Sequence, residues 1–169
     1  MGLTQGAQPI TGFNFGAGNG ERVRQTFRLL LRYSVCYSVA LWAICMVFPR
    51  LIPSMFTNSP ELLDYTAWAL RYYLAMAAVF GVQLSCQQTF IAIGNAKTSL
   101  FLAVYRKIIL LIPLIYILPA ILQQKDRAVF LAEPVADLIA VTTTAIMFAY
   151  QFRNALKKLD LGKQMPAEA

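Results

Sequence analysis

Four long uncharged stretches, Tyr33–Pro49, Tyr72–Ala96, Ile108–Gln124 and Leu138–Phe152, dominate this chain of 169 residues. A hydrocarbon layer about 30 Å thick is crossed by roughly 20 helical residues rising 1.5 Å each. Each stretch reaches that length once flanking residues such as Arg50 or Asp137 sit near the headgroups. Apolar residues make up 58% of the chain and charged residues 14%. Soluble domains carry about 25% charged residues, and a soluble helical bundle of this size would need them to cover its outer face. The expected fold is therefore an all-α integral membrane bundle, with spans at about 33–55, 66–94, 98–122 and 132–152. The first residues lack a basic segment followed by an apolar core, so insertion is expected to rely on the spans themselves.

The net charge of +7 matters less than its distribution. If the four spans alternate, eleven basic residues face one side: Arg22, Arg24, Arg28, Arg32, Lys97, Arg106, Lys107, Arg153, Lys157, Lys158 and Lys163. The other side receives four, Arg50, Arg71, Lys125 and Arg127, together with Glu61, Asp64, Asp126 and Glu133. That asymmetry is a positive-inside pattern, and it places the segment before Tyr33 and the tail at 156–169 in the cytoplasm. With the charge explained by topology, no nucleic-acid partner is expected; the lipid bilayer is. Arg24, Arg28 and Arg32 form one helical stripe beside an apolar face of Val23, Phe27, Leu30 and Leu31. Segment 18–32 is thus either an interfacial helix or a cytoplasmic extension of the first span.

The chain contains no histidine, which removes imidazole triads, HExxH zinc sites and imidazole proton relays. Cys36, Cys45 and Cys86 lie within spans without CxxC spacing and read as packing residues. Gly16-Ala17-Gly18-Asn19-Gly20 lacks the strand and the Gly-Lys-Ser/Thr ending of a phosphate loop, and reads as a turn between helices. No catalytic residue, metal site or cofactor is expected.

Polar groups inside the spans carry the functional signal, because lipid forces them inward. Gln83 and Gln87 are four apart, and Tyr72, Met76 and Phe80 extend roughly the same face outward. An amide ladder beside aromatic and methionine surface suits a substrate cavity for bulky, partly apolar molecules; the alternative is hydrogen bonding between helices. Glu133 and Asp137 flank Pro134 at the expected start of the last span, where the helix N-terminus favours acids and proline fits the first turn. Asp137 is also positioned to face a watery ion pathway. Arg106 stands about nine residues, roughly 13 Å, into its helix, where it snorkels or pairs with an acid elsewhere in a larger protein. Pro113 and Pro119 are expected to kink the third span or to serve ordinary packing.

Several motifs, taken in order, resemble the C-terminal part of a multidrug and toxic compound extrusion (MATE) transporter. They are Gln5-Gly6-Ala7-Gln8-Pro9-Ile10, Gly12-Phe13-Asn14-Phe15-Gly16-Ala17 with Glu21-Arg22-Val23-Arg24, Gly94-Asn95-Ala96-Lys97 and Tyr105-Arg106-Lys107. Ile112-Pro113, Leu118-Pro119 and Ala132-Glu133-Pro134-Val135-Ala136-Asp137 complete the set. The resemblance implies part of the C-terminal lobe of a twelve-helix protein across 1–155: the end of helix eight at about 2–17, then helices nine to twelve. It implies that the N-terminal lobe and helix seven are missing, and that Met1 is an artificial start or an internal methionine. It also implies efflux of small amphipathic cations across the cytoplasmic membrane in exchange for H⁺ or Na⁺. Some family members carry a cation-binding acid in helix ten, but Tyr72–Ala96 holds none. The alternative is a truncated, non-transporting membrane protein that assembles with a partner through exposed helix faces.

Overall fold

A computed structural model describes residues 2–122 and 125–164. The side chains of Asp126 and of 161–164, Lys163 among them, and the end of the expected tail at 165–169 lie outside the described parts. Helix α1 spans Gly2–Gly16 and α2 spans Gly20–Val47. Between them Gly18 takes φ 70°, a left-handed turn that glycine adopts without steric cost. Asn19 then caps α2 by accepting a hydrogen bond from the backbone N–H of Arg22 at 3.3 Å. No glycine or proline interrupts 21–47, and the segment at 18–32 joins the first span as one helix of 28 residues. Pro49 follows its end, where a helix cannot continue.

The second span is broken. Helix α3 (Pro60–Tyr73) and α4 (Phe80–Ala92) are joined by a short 3-10 turn, Ala77–Val79, and the pair bends by 47°. Tyr72, Met76 and Phe80 therefore do not share the continuous face that an unbroken helix would give them. After Gly94, which takes φ 81°, α5 (Ala96–Val104), a π-helical stretch (Tyr105–Leu111) and α6 (Ile112–Ile121) form one continuous span of 26 residues. The expected proline kink appears instead as this widened stretch. Pro113 has no N–H to donate, and a π turn just before it shifts the preceding carbonyls off the α register. Helix α7 (Lys125–Gln164) is 40 residues long and begins well before the expected 132.

Helix α7 is the most enclosed of the long helices. Ala128, Ala132, Ala136 and Ala140 recur every four residues along it and are buried, the small-residue spacing that lets membrane helices approach closely. Towards the C-terminal end of α7, Val23, Cys86, Phe90, Leu102, Phe148, Phe152 and Leu156 close the core. Phe148 stacks on Phe27 at 4.5 Å between centroids and on Phe152 at 4.7 Å, and meets Phe90 edge-on at 5.1 Å. The α4–α5 turn is tied to α7 where Asn95 Nδ2 donates to Gln151 Oε1 at 2.6 Å. At the other end Arg50 of the α2–α3 loop pairs with Asp64.

Helices α2 and α4 touch backbone to backbone. A Cβ placed on Gly81 would lie 2.4 Å from the carbonyl oxygen of Ser34, so only glycine fits there. Gly6 has open space around the same position. Gly81→Ala is expected to cost about 1–3 kcal/mol through overpacking. Gly6→Ala is expected to be neutral or to stabilise by about 0.5–1 kcal/mol through helix propensity. Thermal unfolding of the two purified variants in detergent checks the contrast; equal melting temperatures would remove the close crossing.

Candidate functional site

Three charged side chains meet inside the bundle and a fourth, half-exposed Lys107, joins them from its edge. Arg106 and Lys107 leave the π-helical stretch, and Glu133 and Asp137 leave one face of α7, four residues apart. Arg106 Nε donates to Asp137 Oδ1 at 2.6 Å, and its Nη2 donates to Glu133 Oε1 at 3.3 Å. Lys107 Nζ donates to that same Glu133 oxygen at 3.0 Å. A π turn advances fewer degrees per residue than an α turn, so adjacent Arg106 and Lys107 both reach Glu133. The Arg106 guanidinium also lies 4.3 Å from the centroid of the Phe80 ring, at the first residue of α4.

Depth explains why these residues find each other. Arg106 lies roughly 15 Å along its helix from Ala96, and Asp137 roughly 18 Å along α7 from Lys125, in a hydrocarbon layer about 30 Å thick. Both therefore stand well inside their helices. Two expectations are corrected here. Arg106 does not snorkel, since its side chain is only 14% exposed and its acids belong to this chain. Glu133 and Asp137 do not cap a helix start either, because α7 begins at Lys125 and Pro134 is buried within it. A cavity of about 430 Å³ borders the cluster, walled by Tyr73 and Leu74 of α3 and by Ala77 and Phe80 at the bend.

Two larger clefts frame this centre. One, about 780 Å³, lies between the start of α1, the outer half of α2 and the bend; Thr4, Ser34, Tyr37, Trp42 and Phe80 are among its walls. The other, about 1080 Å³, lies at the opposite end from the phenylalanine core and includes Arg50, Asp64, Trp68, Arg71 and Tyr72. Gln83 and Gln87 line neither. Gln83 is 2% exposed within the lobe, its Oε1 without a hydrogen-bond partner among the described residues, and Gln87 is half-buried. Met76 is half-buried in the bend. Among the motif residues, Pro9 and Gly16 are exposed on α1, Gln8 is half-buried, Asn14 Nδ2 donates to the carbonyl of Ile10, and Arg22 is exposed at the start of α2. Among the described residues no group of three His, Cys, Asp or Glu side chains assembles that would hold a metal ion. Lys107 and the Phe80 contact were absent from the expected site. Their signal was the equal depth of Arg106 and Asp137 from opposite faces.

The MatE family model matches residues 1–117. The FAD transporter of Shewanella oneidensis (strain MR-1) is 24% identical over 117 residues, covering 68% of this chain and 25% of that protein. The solved inward-facing conformation of a multidrug resistance MATE family transporter of the MOP superfamily superposes with a TM-score of 0.85 at 20% identity. That match covers 94% of this chain and 36% of the other. The MATE multidrug transporter DinF-BH in complex with R6G gives a TM-score of 0.83 at 31% identity, covering 92% and 34%. The chain thus spans about a quarter of the length of the curated relative (25%) and about a third of these solved structures (36% and 34%).

Breaking the central cluster should cost far more than breaking a surface pair. Arg106→Ala leaves the buried Asp137 carboxylate without its cation, worth about 3–5 kcal/mol. Removing the half-exposed Arg24–Asp160 pair, 3.4 Å apart, should cost below about 1 kcal/mol. Thermal stability in lipid nanodiscs measures both, and similar small losses would show the cluster to be well hydrated.

Proposed function

Because the chain belongs to the MatE family, we propose that it forms part of the C-terminal lobe of a transporter that moves small amphipathic organic cations out of the cell across the cytoplasmic membrane, in exchange for H⁺ or Na⁺. The observation that carries this reading is the superposition of over nine-tenths of the chain on MATE transporters of which it spans about a third. Alternating access needs two lobes rocking about a central site. The working partner of this bundle is therefore an N-terminal lobe, and the C-terminus faces the cytoplasm in line with the basic residues on that side.

The walls of the cleft beside α1, α2 and the bend support the substrate class. They are mostly apolar and aromatic, with hydroxyls from Thr4, Ser34 and Ser38, and among the described residues no charged side chain lines them. Such a surface accepts a flat, hydrophobic molecule whose charge is delocalised. The Shewanella relative's substrate is FAD, which carries phosphates and would need cationic partners, and this cleft supplies none. The uncharged cleft favours the amphipathic cation.

The test is split complementation in cells stripped of their own drug pumps. This chain is expressed alone, and together with the preceding part of DinF-BH, and retention of R6G and of FAD is measured. R6G retention is expected to fall only when both pieces are present. Export of FAD in place of R6G would overturn the cation reading. Properly inserted pieces that together export neither compound would favour a non-transporting assembly protein.

A further inference from the structure

The two acids of the central cluster are unequal. Glu133 accepts from two cations, Arg106 and Lys107, whereas Asp137 accepts only from Arg106. Asp137 is also the more deeply buried, at 2% exposure against 8%. A buried carboxylate with fewer cationic partners is the one that a proton neutralises at least cost. The guanidinium stays charged under all ordinary conditions, so the proton must go to an acid.

The ligand class follows from the oxygens on offer. A Na⁺ ion would need several oxygen donors, and the bonded oxygens of these two carboxylates already face Arg106 and Lys107. A proton needs a single oxygen and leaves Arg106 on Glu133. The other groups bordering the site bring no competing acid. Tyr73 comes from α3, Phe80 from α4, and Arg106 and Lys107 from the π-helical stretch. Helix α6, which packs along α7, contains no acidic or basic residue.

We propose that Asp137 is a proton-binding site buried inside the bundle, and that its protonation frees Arg106 from Asp137 and loosens the hold of that guanidinium on Phe80 at the bend of the second span. The step is a simple protonation: an O–H bond forms on the Asp137 carboxylate, and Arg106 keeps all its protons. The charge-assisted bond from Arg106 Nε then becomes a weaker bond to a neutral acid. Arg106 settles on Glu133, and the 3-10 turn at Ala77–Val79 loses the clamp on its C-terminal side. The use of this site for coupling rests on the antiport reading above; its existence as a proton site does not.

The experiment uses the full chain in lipid nanodiscs. Infrared spectra are recorded as the pH is lowered, for the wild type, Asp137→Asn and Glu133→Gln. A protonated-carboxyl C=O band is expected in the wild type and in Glu133→Gln, and is expected to vanish in Asp137→Asn. Hydrogen–deuterium exchange at one neutral pH is then compared across 74–80. Asp137→Asn should speed exchange there by about tenfold, the equivalent of one charge-assisted hydrogen bond. A titrating band that survives in Asp137→Asn but is lost in Glu133→Gln would overturn the assignment, as would the absence of any such band in the wild type. Unchanged exchange in Asp137→Asn would overturn the link to the bend. Neither readout needs transport, so a failure of R6G export with the band intact would sink the transport reading and leave the proton site standing.

Discussion

A guanidinium buried among helices needs anions beside it, and that one requirement organises the bundle. Arg106 demands acids at its own depth, and α7 supplies them at 133 and 137. Meeting that demand sets the register between the α5–α6 span and α7, because sliding either helix by one turn would part the charges. Lys107 completes the balance, two positive against two negative. The pairing adds little net stability over an apolar core, since desolvation consumes most of the attraction. What it supplies is specificity: other registers leave a charge in hydrocarbon.

Close backbone packing does the remaining work. Lipid tails are as apolar as leucine, so helices associate through fit rather than through escape from water. Gly81 lets α4 press against the backbone of α2 at Ser34, and the alanine stripe of α7 does the same for its neighbours. Large apolar side chains on α6, among them Tyr116 and Ile117, are exposed, as a lipid-facing surface requires. Phenylalanines gather where α2, α4 and α7 converge.

The apolar runs, the turn around Gly18 and the charged residues within spans were legible in the sequence, because each depends on local chemistry: run length, glycine content and missing charges. The bend was not. Leu74-Ala75-Met76-Ala77-Ala78-Val79 contains good helix formers and neither proline nor glycine, so propensity predicts a straight helix. Contacts from elsewhere break it, with α2 against Gly81 on one side and Arg106 on Phe80 on the other. The start of α7 was hidden for the opposite reason: Glu133, Pro134 and Asp137 together look like a first turn, yet the helix runs through Pro134 from Lys125. The spacing and amide chemistry of Gln83 and Gln87 suit either a cavity or hydrogen bonding between helices, and helical spacing does not say whether a face meets a cleft or a neighbouring helix.

The bend and the charge cluster are adjacent for a physical reason. A break in a membrane helix is tolerable only if its backbone groups stay partnered. Here the N–H of Leu74 reaches the carbonyl of Leu70 at 2.9 Å, Ala77 reaches Leu74 at 3.0 Å and Val79 reaches Met76 at 3.1 Å. A straight α-helix would satisfy the same donors, so backbone hydrogen bonding alone hardly distinguishes the two shapes. The choice falls to side-chain contacts at the ends of the turn. One of these, Gly81 against Ser34, is rigid packing of two backbones. The other, Phe80 under Arg106, depends on where a mobile cation finds its anion. A bend held on one side by fixed packing and on the other by a charge pair responds to whatever alters that charge, and in this bundle the carboxylate of Asp137 holds the controlling end.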